Sequence, residues 1–167
     1  MNQLEQFRDI KTFIFDVDGV LTDARVLVLE DGTMLRQMSI RDGYAIKQAV
    51  KEGYNVCIIT GSQSEGVRKR LEGLGIEHIY IGVEEKLKVF EKYIRENNIE
   101  EETILYMGDD VPDYAVMRRV GFPTCPRDAA PEMFELAKYV SPRGGGEGCV
   151  RDVIEKVLKL NGQWRKG

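Results

Sequence analysis

Short apolar runs alternate with amphipathic segments along most of the chain. The runs are rich in β-branched and aromatic residues and too short for helices, so they predict strands that are buried on both faces. These runs lie at residues 12–15, 56–59, 79–81, 103–107 and 122–125. Between and after them, apolar residues recur at helical spacing. The predicted helices lie at about 44–52, 64–73, 84–97, 112–120, 131–137 and 150–160, with a last edge strand at 139–140.

This alternation of strand and helix predicts an α/β fold. Its expected form is a doubly wound, mostly parallel sheet with helices on both faces. No shift in composition divides the chain, so we expect a single domain spanning residues 1–167.

One segment departs from the alternation. Residues 26–29 and 34–39 are two strand-like runs around the turn dipeptide Asp31-Gly32, which predicts a β-hairpin at about 24–39. Every residue of the first arm is apolar, so both faces of that arm are apolar. A hairpin of this kind needs cover on both faces. We therefore expect it either to lie in the core or to be covered by another subunit.

Composition and charge narrow the class of protein. The chain is 43% hydrophobic and 31% charged with a net charge of −4, as in ordinary soluble proteins. No basic patch indicates a nucleic-acid partner, and no apolar run is long enough for a membrane span or a signal peptide. The three cysteines are widely spaced, so neither a disulfide framework nor a zinc site is indicated. A cytoplasmic location is expected.

Polar side chains collect where the predicted strands end. Asp16 and Asp18 follow the first strand, Thr60 ends the second, and Asp109 follows the fourth. The carboxyl ends of parallel strands share one edge of the sheet, and Lys86, at the start of a helix, can reach the same edge. Side chains two apart in a strand share a face, so Asp16 and Asp18 converge if the strand geometry persists. Alternatively, the two aspartates are turn formers before a glycine.

Carboxylates without cysteine or histidine beside them suit a hard cation, and Mg²⁺ is the expected one. A lysine and a threonine hydroxyl suit a phosphate group, and together these groups indicate phosphoryl transfer. Asp16 can act as a nucleophile and form an aspartyl-phosphate. Asp18 can protonate the leaving oxygen and later deprotonate water. The lone histidine, His78, is expected to be a surface or packing residue.

Four motifs in order resemble those of the haloacid dehalogenase superfamily of phosphatases. They are Asp16-Val17-Asp18-Gly19-Val20, Thr60-Gly61, Lys86, and Gly108-Asp109-Asp110-x-x-Asp113. Further motifs are similar to those of the 3-deoxy-D-manno-octulosonate (KDO) 8-phosphate phosphatase family. They are Arg41-Asp42-Gly43-Tyr44 after the hairpin, Gly82 before Lys86, and Arg143-Gly144-Gly145-Gly146 before the last helix. The resemblance extends over residues 11–160.

The resemblance implies a Rossmann-like haloacid dehalogenase fold, with a protruding hairpin and no cap domain. It implies Mg²⁺-dependent hydrolysis of KDO 8-phosphate through an aspartyl-phosphate, in lipopolysaccharide sugar biosynthesis. The implied catalytic residues are Asp16, Asp18, Thr60 and Lys86. The implied Mg²⁺ ligands are Asp16, the backbone carbonyl of Asp18, and Asp109. The implied substrate contacts are Asp18, Ser39, Ile40, Arg41, Asp42, Gly43, Lys47, Ser62, Arg70 and Lys86. Asp113 is expected to orient Lys86 or a metal-bound water.

Two alternative functions stay open on the sequence. Ser62 stands where the resembled family commonly has an arginine, and phosphatases of nine-carbon keto-deoxy sugar acid 9-phosphates also lack that arginine. Such a 9-phosphate is therefore the alternative substrate. A signalling receiver domain also uses an acidic cluster, Mg²⁺, a hydroxyl and a lysine. Its acceptor aspartate lies on a middle strand, however, whereas Asp16 follows the first. Lys47 and Arg70 are equally consistent with a solvated helix face.

The intervals between the motifs are too short for a cap domain. Residues 19–59 hold only the hairpin and one helix, and residues 61–85 hold one helix and one strand. Water at the site still has to be controlled, and the apolar hairpin is the available cover. We expect hairpins to pair between subunits of a homotetramer, as in the resembled family. The loop at 143–148 and the tail after the last helix are expected to reach a neighbouring site.

Overall fold

A six-stranded sheet forms the centre of the structure, a computed structural model that describes residues 2–167. The strands are β1 (Thr12–Phe15), β2 (Leu27–Val28), β3 (Met34–Leu35), β4 (Asn55–Ile59), β5 (His78–Tyr80), β6 (Ile104–Met107), β7 (Phe122–Cys125) and β8 (Tyr139–Val140). The helices are α1 (Gln3–Arg8), α2 (Ile40–Lys51), α3 (Glu65–Gly73), α4 (Lys86–Glu96), α5 (Tyr114–Met117), α6 (Pro131–Leu136) and α7 (Cys149–Leu160). Short 3₁₀ turns lie at Glu101–Thr103 and Val111–Asp113. The sheet order is β5-β4-β1-β6-β7-β8, and every neighbouring pair is parallel. The predicted doubly wound α/β fold is confirmed.

The central strands are buried on both faces because their side chains alternate between two hydrophobic clusters. In β1, Phe13 and Phe15 belong to one cluster and Ile14 to the other, and all three are fully buried. Helices α1, α2, α3 and α7 cover the first face, and α4, α5 and α6 cover the second. Burying one such side chain stabilises the fold by about 1.5–3 kcal/mol.

The register of the sheet determines where the site lies. β1 lies between β4 and β6, and Phe15 pairs with Ile58 on one side and with Met107 on the other. The residues that follow these three positions therefore emerge together at one edge of the sheet. Asp16 and Asp109 lie at this edge and line one cleft.

Three helices differ from the predicted ones in their boundaries or are not predicted. α2 begins at Ile40 because Ser39 Oγ accepts a hydrogen bond from the Asp42 amide at 3.2 Å. The helix predicted at 112–120 divides into a 3₁₀ turn and the shorter α5. The hydrophobic pattern does not predict α1, which has only six residues and is held by a capping box at Asn2.

β2 and β3 form the predicted hairpin as a separate antiparallel pair. Its apolar side chains are open to solvent: Leu27 is 63% exposed, Val28 60% and Met34 51%. Within one chain, the hairpin therefore does not lie in the core, and that alternative is wrong. Cover by another subunit stays a prediction. Across residues 2–167, no helix has both the length and the apolar character that crossing a membrane requires.

Candidate active site

Asp16 follows β1 directly and is buried at the carboxyl edge of the sheet, with 7% of its surface exposed. Its Oδ1 accepts a hydrogen bond from the Val17 amide at 2.7 Å and lies 3.1 Å from Lys86 Nζ. Burial, followed by the negative charge of Asp113, raises the pKa of Asp16 to about 7, although Lys86 acts in the opposite direction. The Asp16 carboxylate is therefore shielded from water and held by the Val17 amide and the Lys86 ammonium.

Lys86, the first residue of α4, is held between two carboxylates. Its Nζ lies 2.8 Å from Asp113 Oδ1 and 3.1 Å from Asp16 Oδ1. Burial lowers the pKa of Lys86, but the charges of the two aspartates outweigh it and leave the pKa above its usual value. The Tyr106 hydroxyl donates to Asp113 Oδ1, and the Asp109 amide donates to Asp113 Oδ2 at 3.0 Å. Asp113 is therefore held by the Tyr106 hydroxyl and the Asp109 amide, and it in turn fixes the ammonium group of Lys86.

Three carboxylates meet beside this lysine. Oxygens of Asp16, Asp109 and Asp113 lie within 4.8 Å of one another. Burial, and then the charges of Asp16 and Asp113, raise the pKa of Asp109 to about 8. One ammonium does not balance three carboxylates, and oxygen ligands at this density fit a hard divalent cation such as Mg²⁺. The residues present therefore fit the expected ion.

The carboxylates line a cleft of about 560 Å³. Its polar lining includes Asp16, Asp18, Thr60, Ser62, Lys86 and Asp109. Thr60 is almost fully buried, and its Oγ1 accepts a hydrogen bond from the Ser62 amide at 3.2 Å, which leaves the hydroxyl hydrogen free to donate. A cleft with a lysine, a hydroxyl and three carboxylates can bind a phosphate group through a cation and present an oxygen nucleophile to it.

Asp18 differs from the expected geometry. The strand ends at Phe15, and the chain then turns, because the amides at 20–22 all donate to the Val17 carbonyl. The Asp18 side chain is 41% exposed and is paired with Arg36 of the hairpin. Arg36 Nε donates to Oδ1 at 2.7 Å and Nη2 donates to Oδ2 at 3.3 Å. Asp16 and Asp18 therefore line the same cleft, but Asp18 is not part of the three-carboxylate cluster.

The residues implied as substrate contacts divide into two groups. Asp18, Ser62 and Lys86 line the carboxylate cleft. Ser39 and Arg41 line a separate hollow of about 350 Å³ together with Arg143 and Arg151. Within the described chain, none of Ser39, Ile40, Arg41, Asp42, Gly43, Lys47 and Arg70 lines the carboxylate cleft. Ile40, Arg41, Lys47 and Arg70 are exposed.

Several of the implied substrate contacts outside the carboxylate cleft hold elements of their own chain together. Ser39 caps α2. Asp42 is buried and accepts a hydrogen bond from the Arg151 amide at 2.9 Å, which joins α2 to the first turn of α7. Burial raises the pKa of Asp42 to about 6, against the opposing effect of Arg151. A Cβ on Gly43 would lie 2.5 Å from Arg70 Nη2, so the guanidinium of Arg70 packs directly over Gly43.

The glycine loop and the C-terminal tail both pack against their own chain. The Gly146 amide donates to the Val20 carbonyl at 3.0 Å, and a Cβ on Gly145 would lie 2.1 Å from the Gly19 carbonyl oxygen. The ring centroid of Trp164 in the tail lies 5.9 Å from that of Tyr44. In a single chain, the loop supports the turn that follows Asp16.

Comparison with known proteins decides the family. No family model matches the chain. The chain is 37% identical over 155 residues to the 3-deoxy-D-manno-octulosonate 8-phosphate phosphatase of Escherichia coli strain K12, which covers 93% of this chain and 82% of that protein. The chain belongs to the KDO 8-phosphate phosphatase family. The resemblance drawn from the motifs is thereby confirmed at the level of the family.

Solved structures agree with membership of the KDO 8-phosphate phosphatase family. The Moraxella catarrhalis member, crystallised in complex with a magnesium ion, a phosphate ion and a KDO molecule, is similar with a TM-score of 0.90 and 32% identity over 94% of this chain and 90% of that one. A HAD (haloacid dehalogenase) superfamily hydrolase of subfamily III A from Legionella pneumophila gives a TM-score of 0.92 and 33% identity, over 95% and 87% of the two chains.

Two residues of this site are not found from the sequence. Arg36 pairs with Asp18 across 18 positions of the chain, and Tyr106 donates to Asp113 from inside a buried strand. Arg36 lies in the hairpin, outside every motif, and Tyr106 reads as an ordinary core residue. For Tyr106, the only feature of the sequence that indicates a role is its hydroxyl within an otherwise apolar strand next to a motif. No feature of the sequence indicates a role for Arg36.

Proposed function

We propose that this chain is an Mg²⁺-dependent phosphatase that converts 3-deoxy-D-manno-octulosonate 8-phosphate to the free sugar acid and phosphate. One observation carries the proposal: the buried Asp16 carboxylate lies 3.1 Å from the Lys86 ammonium and within a cluster of three carboxylates, in a member of this phosphatase family. This arrangement supports the assignment of a nucleophile, a phosphate-binding cation and a metal site to one cleft. The enzyme is proposed to be a cytoplasmic, capless member of the superfamily, formed by a single domain.

Binding of the phosphoryl group is assigned to Lys86 and Thr60. The ammonium group balances the charge of the phosphate oxygens, and the threonine hydroxyl donates a hydrogen bond to one of them. Asp16, Asp109 and the backbone carbonyl of Asp18 would hold Mg²⁺, which when bound neutralises charge on the carboxylates and the phosphate. Asp113 keeps Lys86 in place through the 2.8 Å ion pair.

The proposed reaction has two steps. An oxygen of Asp16 forms a bond to phosphorus while the ester bond to the sugar oxygen breaks, and Asp18 gives a proton to that departing oxygen. The ionised Asp18 then takes a proton from water as the water oxygen bonds to the phosphorus of the aspartyl-phosphate and the bond between phosphorus and the Asp16 oxygen breaks. The products are inorganic phosphate and the original Asp16, and Asp18 has regained its proton.

The nine-carbon keto-deoxy sugar acid 9-phosphate is the second candidate substrate. Ser62 lines the cleft at the position where the resembled family commonly has an arginine. Loss of a guanidinium removes a partner for an anionic substrate, and this weakens the basis for a preference for the 8-phosphate over the 9-phosphate.

The deciding experiment is a measurement of phosphate release from both sugar acid phosphates with Mg²⁺ and with a chelator. We expect turnover of KDO 8-phosphate with the larger kcat/KM, no turnover with the chelator, and none in Asp16→Asn. A larger kcat/KM for the 9-phosphate would assign the alternative substrate. A stable phosphorylated protein without turnover would instead support a receiver domain.

We also propose that each site is completed by a second subunit in a homotetramer. The implied substrate contacts Arg41, Lys47 and Arg70 do not line the cleft of their own chain, and the hairpin leaves Leu27 and Val28 exposed. An apolar surface of this kind favours burial between subunits. Sedimentation velocity tests the stoichiometry, and a fully active monomer would refute this part of the proposal.

A further inference from the structure

The hairpin is joined to the cleft by one ion pair with two hydrogen bonds. Arg36 Nε and Nη2 each donate to a different oxygen of Asp18, at 2.7 and 3.3 Å. Among the described residues, no other side chain or amide donates to the Asp18 carboxylate. The orientation of this carboxylate therefore depends on a residue of the hairpin rather than on the sheet that carries Asp16.

Arg36 differs from its neighbours on the same arm. Met34 and Leu35 are exposed residues, whereas Arg36 is half-buried and its side chain is only 10% exposed. A fully exposed ion pair contributes little to stability. An ion pair contributes more when its guanidinium is largely shielded from water and is bonded to both carboxylate oxygens. This arm therefore directs its cation inward, to Asp18, while its apolar side chains face outward.

A carboxylate that accepts two parallel bonds keeps further lone pairs for a proton. Each oxygen of Asp18 has one site taken by Arg36 and another free to face the cleft. The ion pair thus fixes the plane of the carboxylate without blocking it. Proton transfer to a leaving oxygen depends on such placement, since a misplacement of about 1 Å costs on the order of 100-fold in rate.

We propose that Arg36 is a positioning residue for the proposed phosphatase reaction, and that it acts through Asp18 on proton transfer to the leaving group. This inference rests on the proposed function, because it takes Asp18 as the group that exchanges the proton. It makes the hairpin part of the machinery for proton transfer as well as a cover for the site.

The test compares two leaving groups in the full-length protein. The alkyl oxygen of a sugar acid phosphate needs a proton to depart, whereas the nitrophenolate of p-nitrophenyl phosphate departs as an anion. Arg36→Met removes the guanidinium, Arg36→Lys keeps the charge without the two parallel bonds, and Arg25→Met is the control because Arg25 is an exposed cation at the start of the same hairpin.

For the sugar acid phosphate, we expect Arg36→Met to lower kcat on the order of 10- to 100-fold with KM changed less than about threefold. The first-turnover rate with p-nitrophenyl phosphate should change less than about threefold, since no proton is needed there. Arg36→Lys should recover part of kcat, and Arg25→Met should match the wild type. In an Asp18→Asn background, Arg36→Met should cause little further loss, because its target is gone.

Four results would overturn the inference: equal losses with both leaving groups, a raised KM with unchanged kcat, the full loss retained in Asp18→Asn, or an Arg36→Met enzyme that behaves like the control. These results are separate from failure of the proposed function. If the wild type does not hydrolyse either sugar acid phosphate, the proposed function fails. The comparison then uses the alkyl phosphate that the wild type hydrolyses fastest.

Discussion

A Cβ atom placed on Gly19 would lie 1.7 Å from Oδ2 of Asp109. The turn after β1 thus lies directly against the carboxylate that follows β6. Gly19 also has a φ of +86°, a conformation that favours glycine. Glycine at this position lets the backbone approach the site to within contact of one of its proposed metal ligands.

Gly19→Ala is expected to displace the Asp109 carboxylate and weaken Mg²⁺ binding. The added methyl group cannot share space with the carboxylate, and disturbing the surroundings of a metal ligand typically costs about 10- to 100-fold in affinity. The measurement is the Mg²⁺ concentration that gives half-maximal phosphatase activity.

Gly32→Ala is the matched control for this change. Gly32 has a φ of +89°, but within residues 2–167 no atom other than those of Gly32 and its two chain neighbours lies within 4 Å of its Cβ position. Both variants therefore carry a similar backbone strain of about 1 kcal/mol, and only Gly19→Ala meets Asp109. An equal Mg²⁺ requirement in the two variants would contradict the proposed close approach.

Tyr106→Phe is expected to loosen Asp113 and, through it, Lys86. The variant deletes a hydroxyl that donates to a buried carboxylate, and hydrogen bonds to charged groups contribute about 1.5–3 kcal/mol. The free energy of unfolding should fall by about that amount, and kcat should fall because Lys86 is less firmly placed.

Denaturant unfolding and steady-state kinetics check the Tyr106 prediction. Tyr93→Phe serves as its control, since Tyr93 is also buried in the same hydrophobic cluster but makes no hydrogen bond to Asp113. Equal kcat values in the two variants would show that the Tyr106 hydroxyl does not support Lys86.

Stabilisation by Mg²⁺ is expected to grow as the pH rises. Burial raises the pKa of Asp16 to about 7 and that of Asp109 to about 8, both from an ordinary value of 3.8. In the metal-free protein, the folded state therefore retains protons that the unfolded chain has lost, so these groups lower stability as pH rises from about 4 to about 8. A cation at the cluster favours the ionised carboxylates and opposes this loss.

Thermal unfolding with and without Mg²⁺ measures this effect. The increase in Tm caused by Mg²⁺ should be small at about pH 5.5 and larger at about pH 8. In Asp109→Asn the dependence should flatten, because one titrating ligand is removed. An increase in Tm that is the same at every pH would count against a cation bound by Asp16 and Asp109.

The sequence suffices for those parts of the fold and site that depend on local pattern and on parallel pairing. The apolar pattern of β1 and β6 predicts that both strands are buried. Parallel pairing of the two strands then predicts that Asp16 and Asp109 lie at one edge of the sheet, without any knowledge of tertiary contacts. The position of Lys86 at this edge is predicted for the same reason, since Lys86 begins the helix that follows a parallel strand.

Other parts depend on contacts that no local pattern encodes. The turn at 18–22 rotates Asp18 away from the strand geometry, and its partner Arg36 comes from a separate hairpin. The cap at Ser39 shifts the start of α2, which makes Asp42 a link to α7. In each case a hydrogen bond between distant or irregular segments decides the position.

Leu27→Asp is expected to dissociate the proposed tetramer and lower activity. Leu27 lies on the exposed apolar hairpin with 63% of its surface open, so an interface that covers it would have to bury the new charge. Leu4→Asp is the matched control, because Leu4 is a 61% exposed leucine on α1, outside the hairpin.

Sedimentation velocity should give the tetramer for the wild type and the control, and smaller species for Leu27→Asp. Because Arg36 and Leu27 share the hairpin, dissociation should also lower kcat/KM for the sugar acid phosphate. A Leu27→Asp protein that sediments like the control would show that the hairpin is not the contact between subunits.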